Sequence, residues 1–360
     1  MAGAASTLMR AEIAAVPQVV QRFLDESRDQ VAGAVSAIRR AEPAFVAIVA
    51  RGTSDHAALH LRYLIETELG IPTGLAAPSV TTIYGAEVRW GGGVVIAVSQ
   101  SGRSPDLIAV VEAARSAGAT TIAIANDAAS PMAAAAEHLI DCRAGEERSV
   151  AATKSYVAQL AAGAALVAGL AADGSLAAAL GSMPTVLAAS LEVASGAVDD
   201  DAEIVAEFAA SERSIVISRG YDYPTALETA LKLKETGRLF AEGYSSADFS
   251  HGPVVLSAPG VPVLAIRPDG RMGPAVDEGI DAARLAGGRP WIICGADDRV
   301  GPGSSGDDRL IRLPLPPSLP EGLAPLATIL PGQLLAEAVA RRRGYDPDAP
   351  PGLRKVTLTR

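Results

Sequence analysis

An excess of positive charge, aromatic bulk, paired cysteines and an apolar leader are what this 360-residue sequence lacks. A net charge of -10 and a pI near 5.0 exclude nucleic acid and anionic membrane as default partners, so a bound phosphate would have to be held by local donors. Aromatics make up only 4% of a chain that is 49% hydrophobic, and Ala, Val, Leu and Ile supply the difference. That mix fits Ala-rich helices on Val/Ile strands, an α/β protein long enough for two domains. Two cysteines, Cys142 and Cys294, stand far apart at the ends of apolar runs, which excludes a disulfide framework and points to buried thiols in a reducing cytosol. The four histidines, His56, His60, His138 and His251, form no ligand cluster, and neither a metal nor an organic cofactor is expected. Arg10 and Glu12 interrupt what would be the core of a signal peptide, so no export signal is expected.

The 18 uncharged residues between Lys154 and Asp173 approach the length of a membrane span. They are mostly Ala and Gly, contain Gln159 and lack an aromatic belt, which predicts a buried or dimer-facing helix and no membrane partner.

In chain order, residues 8–39 read as amphipathic helices broken near Pro17. Phe45–Ala50 reads as a buried strand, followed by a glycine turn and a helix to about Leu69. Val94–Val98 is a second buried strand, with a helix to about Ala117. Strands at Thr120–Ile124 and Leu139–Cys142 flank a helical stretch at Ser130–His138, and Pro184–Val198 reads as a helix. Asp199-Asp200-Asp201 marks a domain boundary, giving 1–199, 200–343 and a tail of 344–360. The second half echoes the first: Ile215-Val216-Ile217-Ser218-Arg219-Gly220 repeats Val46–Gly52, and Val261–Pro268 followed by Asp269-Gly270 repeats Val94–Ser101 without its serines. Further strands are read at Trp291–Cys294 and Arg309–Leu313, then a Pro-rich connection over 314–325 and a helix over Leu326–Arg343 that starts there or at Pro331.

Two stretches carry chemistry. In Ser99-Gln100-Ser101-Gly102-Arg103-Ser104, hydroxyls and free N–H groups precede a helix at the carboxyl end of a buried strand, where open α/β sheets bind ligands. The same serines could serve only as turn and N-cap residues. It is neither a Walker A loop nor a GxGxxG fingerprint. The second stretch runs from Arg219 to Pro253. Lys232 and Glu235 share a helix face and could form a proton-transfer pair, or, with Glu228 four residues before Lys232, a solvated salt-bridge ladder. His251, in a polar loop closed by Gly252-Pro253, is suited to face a pocket. By composition alone, Lys355 in the tail would be a frayed lysine.

Taken together, the motifs resemble a known family. ARGTSDHA at 50–57, SQSGRSPD at 99–106, SVAATKSYVAQL at 149–160, SRGYDYPTALETALKLKET at 218–236, FSHGP at 249–253 and GYDPDAPPGLRKVTLTR at 344–360 are similar, in order, to the isomerase half of glutamine:fructose-6-phosphate amidotransferase. That half consists of two SIS (sugar isomerase) domains. The resemblance implies two tandem domains, each a mainly parallel sheet flanked by helices in a flavodoxin-like three-layer sandwich. It implies that Ser54, Ser99, Gln100, Ser101 and Ser104 hold a sugar phosphate, and that Glu235 moves a proton between C1 and C2 with Lys232 in support. It also implies that His251 opens the sugar ring from the neighbouring subunit of a homodimer, that Val150 and the backbone of Arg354 line the sugar site, and that Lys355 forms a Schiff base with the ketose.

Departures qualify the substrate. Ala152 stands where the family has Ser, Ser104 where Thr is frequent, and Asp248-Phe249-Ser250 where Glu-Leu-basic is usual. The pattern starts almost at once, with Ala2 and no glutaminase nucleophile, so this chain is not expected to draw nitrogen from glutamine by itself. The leading expectation is a cytoplasmic aminosugar-phosphate isomerase/deaminase that converts glucosamine 6-phosphate to fructose 6-phosphate and ammonia. The alternatives are a deglycase of 6-phosphorylated fructosamines, the isomerase subunit of a glutamine-dependent synthase, and a non-enzymatic sugar-phosphate sensor.

Overall fold

The structure, a computed structural model, describes residues 6–172, 174–267, 270–296 and 309–355. Its two compact units interleave along the chain. One comprises 16–147, 154–183 and the end of the tail from 354; the other comprises the N-terminal residues to 15, 148–153 and 184–353.

The first unit holds five parallel strands: β1 (Phe45–Val49), β2 (Thr73–Leu75), β3 (Gly93–Ser99), β4 (Thr120–Ala125) and β5 (His138–Asp141), in the order β2-β1-β3-β4-β5. Central strands covered by helices on both faces must be apolar throughout, and β3 is buried at every position. The uncharged stretch forms the helix Lys154–Leu170, almost wholly buried against Val16–Glu26, Arg28–Ala41 and Thr53–Leu64. It is a core helix, as its Ala and Gly content implied. Two other described segments, Ser175–Ala197 and Glu321–Arg342, are long and apolar enough to cross a membrane by length and composition; the second is fully buried.

The second unit holds β6 (Arg213–Ser218), β7 (Phe240–Ser245), β8 (Val263–Ile266), β9 (Trp291–Gly295) and β10 (Arg309–Leu313). Their order, β10-β9-β8-β6-β7, is the first sheet's order read from the other edge, and all neighbours are again parallel. Both are the flavodoxin-like 2-1-3-4-5 arrangement, whose strand order reverses between the first and third strands. The duplication read from the sequence is therefore a duplication of topology. Pro268 and Asp269, in the loop that echoes Ser99–Ser104, lie outside the described residues.

One helix differs from the sequence reading: Pro184, taken as a helix start, lies inside Ser175–Ala197. The last helix, Pro325–Arg342, begins within a residue of the expected Leu326, and Pro331, the alternative start, lies inside it. A proline removes one i to i-4 hydrogen bond, and packing elsewhere along a long apolar helix outweighs that local loss.

The helix Tyr223–Gly237 packs on Pro325–Arg342 through an unusually polar face. Gly332 makes this approach possible, since a Cβ there would lie 2.3 Å from Thr229 Oγ1. At the head of the seam Asp222 is fully buried; the hydroxyls of Thr225 (3.0 Å) and Thr328 both donate to its Oδ1, while Oδ2 has no partner among the described residues. Burial pushes the Asp222 carboxyl up to about 7, against the pull of the two threonine hydroxyls. An unfolded Asp titrates near 3.9, so the folded state holds this proton more tightly and stability falls as pH rises from about 4 to about 7. Asp222→Asn keeps an acceptor and cannot ionise. Denaturant melts from pH 4 to pH 8 are expected to show the parent losing stability relative to this variant by up to about 1.4 kcal/mol per pH unit across that window.

Candidate active site

In the first unit the chain leaves β1 through Ala50-Arg51-Gly52, with Gly52 at φ +56°, and enters the helix Thr53–Leu64, whose first turn carries buried Ser54. It leaves the neighbouring β3 at Ser99 and enters the helix Pro105–Ser116 at Ser104. Both loops lie at the carboxyl ends of the two strands where the sheet order reverses, the usual position for a ligand. The Arg51 guanidinium joins them, 3.0 Å from the buried carboxylate of Asp106.

Within the β3 loop the serines divide their work. Ser99 Oγ accepts the Gly102 N–H (3.1 Å) and Ser101 Oγ the Arg103 N–H (3.4 Å), so both shape the turn. Gly102 is required there, because its φ is +61° and a Cβ would meet Ser130 Oγ at 2.2 Å. Ser104 occupies the N-cap without a side-chain capping bond, and Gln100 is half-buried. Hydroxyls and helix N-terminal N–H groups gathered on two adjacent loops can hold an anion.

The tail is tied down. Asp348 accepts the N–H groups of Leu8 (2.8 Å) and Met9 (2.7 Å) at the start of the helix Leu8–Ala14, and its carbonyl accepts the N–H of half-buried Val150 (3.0 Å). Glu12, on that helix, accepts the N–H groups of Arg148 and Ser149. In the other unit Arg354 is exposed, and Lys355 Nζ donates to Glu147 Oε2 at 2.7 Å. Glu147 is buried and also accepts the Ser155 N–H (3.0 Å) and hydroxyl (2.7 Å), which anchors it at the start of Lys154–Leu170. The frayed lysine expected from composition is thus an ion-paired one. Neither Glu147 nor Asp348 was singled out from sequence. For Glu147 the available signal was an acidic residue upstream of a helix, which reads equally well as a cap.

In the second unit β6 passes through Gly220 into the helix Tyr223–Gly237. Lys232 Nζ lies 3.4 Å from Glu228 Oε1 and is hydrogen-bonded to Glu235. Lys232 and Glu228 side chains are 0% exposed, whereas Glu235 is 25% exposed. The solvated-ladder alternative is therefore excluded, and Glu235 is the one member of the trio open to a ligand. Burial alone would lower the Lys232 pKa; the charges of Glu228 and Glu235 outweigh it and hold the ammonium above its usual value. Lys232 is thus a fixed cation at neutral pH, hydrogen-bonded to the Glu235 carboxylate. His251 is exposed at the end of the short helix Ser246–Ser250, which the buried ring of Phe249 anchors in the core. Among the described residues no group of three or more His, Cys, Asp or Glu could hold a metal ion.

The fold and these loops define a pair of doubly wound α/β domains with an anion-type loop at one switch point and a buried Lys/Glu constellation in the C-terminal half of the helix that follows β6 in the other domain. Residues 42–169 and 207–329 match the SIS domain, and the chain belongs to the SIS domain family. It is 36% identical to the isomerizing glutamine–fructose-6-phosphate aminotransferase of Methanothermobacter thermautotrophicus, over 96% of this chain and 56% of that protein. The chain therefore spans about half the length of that curated relative. Among solved structures, a Silicibacter pomeroyi protein provisionally assigned as a phosphosugar isomerase is 38% identical with a TM-score of 0.84, covering 95% of this chain and 100% of that one. The C-terminal domain of glucosamine-fructose-6-phosphate aminotransferase from Francisella tularensis is 25% identical with a TM-score of 0.84, covering 97% and 99%.

Proposed function

We propose that this chain is a sugar-phosphate isomerase acting on an aminosugar phosphate, converting glucosamine 6-phosphate and water to fructose 6-phosphate and ammonia, or running the reverse with free ammonia. The buried Glu228–Lys232–Glu235 trio, open to solvent only at Glu235, carries the reading. Moving one proton from C2 to C1 requires a carboxylate positioned beside the sugar chain, and Glu235, hydrogen-bonded to the Lys232 ammonium and 25% exposed, is that carboxylate. The product of that transfer is a ketimine at C2. The phosphate, remote from the reacting carbons, anchors the substrate through Ser54, Gln100, Ser101 and Ser104, with Ser99 holding the loop. Lys355, after passing a proton to Glu147 at 2.7 Å, adds as the free amine to the C2 ketimine and ammonia leaves; water then hydrolyses the Lys355–C2 imine, which gives the ketose and restores the lysine amine. Val150 and the Arg354 backbone line the sugar.

His251 opens the ring. Its exposure, and that of Val255 next to it at 76%, support a site completed by a second copy of the chain. A glutamine-dependent synthase is the second reading, supported by the 36% identity to an enzyme of roughly twice this length.

Ammonia release from purified protein given glucosamine 6-phosphate without glutamine tests the first reading, with a 6-phosphorylated fructosamine in parallel. Release from glucosamine 6-phosphate is expected. Turnover of the fructosamine alone would replace the proposal with a deglycase, and activity only when glutamine and a glutaminase are added would replace it with a synthase.

A further inference from the structure

Gln159 is the one amide in the long apolar helix Lys154–Leu170, and it is 3% exposed. An aliphatic residue would pack there without desolvating a polar group. Its Nε2 donates to Ser54 Oγ at 3.0 Å, whereas its Oε1 has no partner among the described residues. The amide is thus half-satisfied in the core, and the single bond it makes goes to a residue of the anion loops. A buried polar group left incomplete is destabilising, so its presence at this position calls for a gain other than stability.

A serine hydroxyl has one proton and two lone pairs. With the amide N–H on one lone pair, Ser54's proton remains uncommitted among the described residues, in the first turn of Thr53–Leu64 beside the β3 loop. An anion can be served only by donors, and a serine whose proton is turned to a backbone carbonyl or an amide oxygen gives it nothing. We infer that Gln159 is a positioning residue for the anion site, holding Ser54 by its oxygen so that the hydroxyl proton is presented to a bound phosphate. This inference rests on the reading of the Ser54 and Ser99–Ser104 loops as a phosphate site. The effect on the sugar reaction is expected on phosphate binding, because the one hydrogen bond Gln159 makes among the described residues goes to Ser54.

The test titrates the full-length protein with inorganic phosphate, comparing the parent with Gln159→Met, Ser54→Ala and the double variant, and with Gln159→Leu as a second apolar replacement. Ser54→Ala is expected to raise the phosphate Kd about tenfold, as for a hydrogen bond to a charged group, and Gln159→Met about threefold to tenfold. The double variant is expected to match Ser54→Ala alone, since both changes remove the same donor. Melting temperatures of the Gln159 variants should equal or exceed the parent's, the reverse of what a structural amide would give. Parental phosphate binding in both Gln159 variants while Ser54→Ala binds more weakly would overturn the role of Gln159, as would multiplied losses in the double variant. Unchanged binding in Ser54→Ala would instead overturn the phosphate site itself, and the inference with it.

Discussion

Glu235→Gln is expected to lower turnover of the sugar phosphate by about 10²- to 10⁴-fold, the range for loss of a positioned general base, while the protein remains folded. The amide keeps the size of the carboxylate and one acceptor oxygen for Lys232, so the geometry survives and the basicity does not. Lys232 retains Glu228 at 3.4 Å as its countercharge, and Glu235 is partly exposed, so no buried charge is orphaned. The melting temperature should therefore stay close to the parent's. Exchange of the C2 hydrogen with solvent deuterium is the more direct measurement, because it reports proton abstraction even when product release limits turnover. Parental exchange in Glu235→Gln would remove Glu235 from the mechanism and leave the trio as a purely structural ion cluster.

Much of this architecture is legible in the sequence because parallel strands buried on both faces must be continuously apolar. Phe45–Val49, Gly93–Ser99, Thr120–Ala125 and Arg213–Ser218 are such runs, and each was placed to within a residue or two. Of the four edge strands, His138–Asp141 and Arg309–Leu313 were read and the other two were not. Thr73–Leu75 is only three residues long and Phe240–Ser245 reads FAEGYS, and neither carries a pattern that a loop could not. Spacing put Lys232, Glu235 and Glu228 on one helix but could not separate a catalytic trio from a surface ladder. Burial against Pro325–Arg342 makes that distinction, and it comes from residues about a hundred positions away. Glu147 and Gln159 were invisible as site residues for the same reason. Their partners, Lys355 and Ser54, lie 208 and 105 residues distant, and nothing local marks a Glu before a helix or a Gln within one as anything but a cap or a polar interruption.

Lys232→Met is expected to cost the most stability of any single change at the site, about 3–5 kcal/mol, by leaving Glu228 buried without its countercharge. The thioether fills most of the volume of the lysine stem, so little of this loss is a cavity effect. The companion variant Lys232→Met/Glu228→Gln removes both buried charges and should recover most of the loss, since a buried pair replaced as a unit is close to neutral. Activity should follow a different course: the double variant regains the fold without regaining turnover, because Glu235 then lacks the ammonium that is hydrogen-bonded to it and fixes its position. Chemical denaturation and C2 exchange measured on the same four proteins, the parent, both singles and the double, separate these effects. A double variant that recovered turnover together with stability would mean that Lys232 serves only to neutralise Glu228, and that Glu235 works without a neighbouring cation.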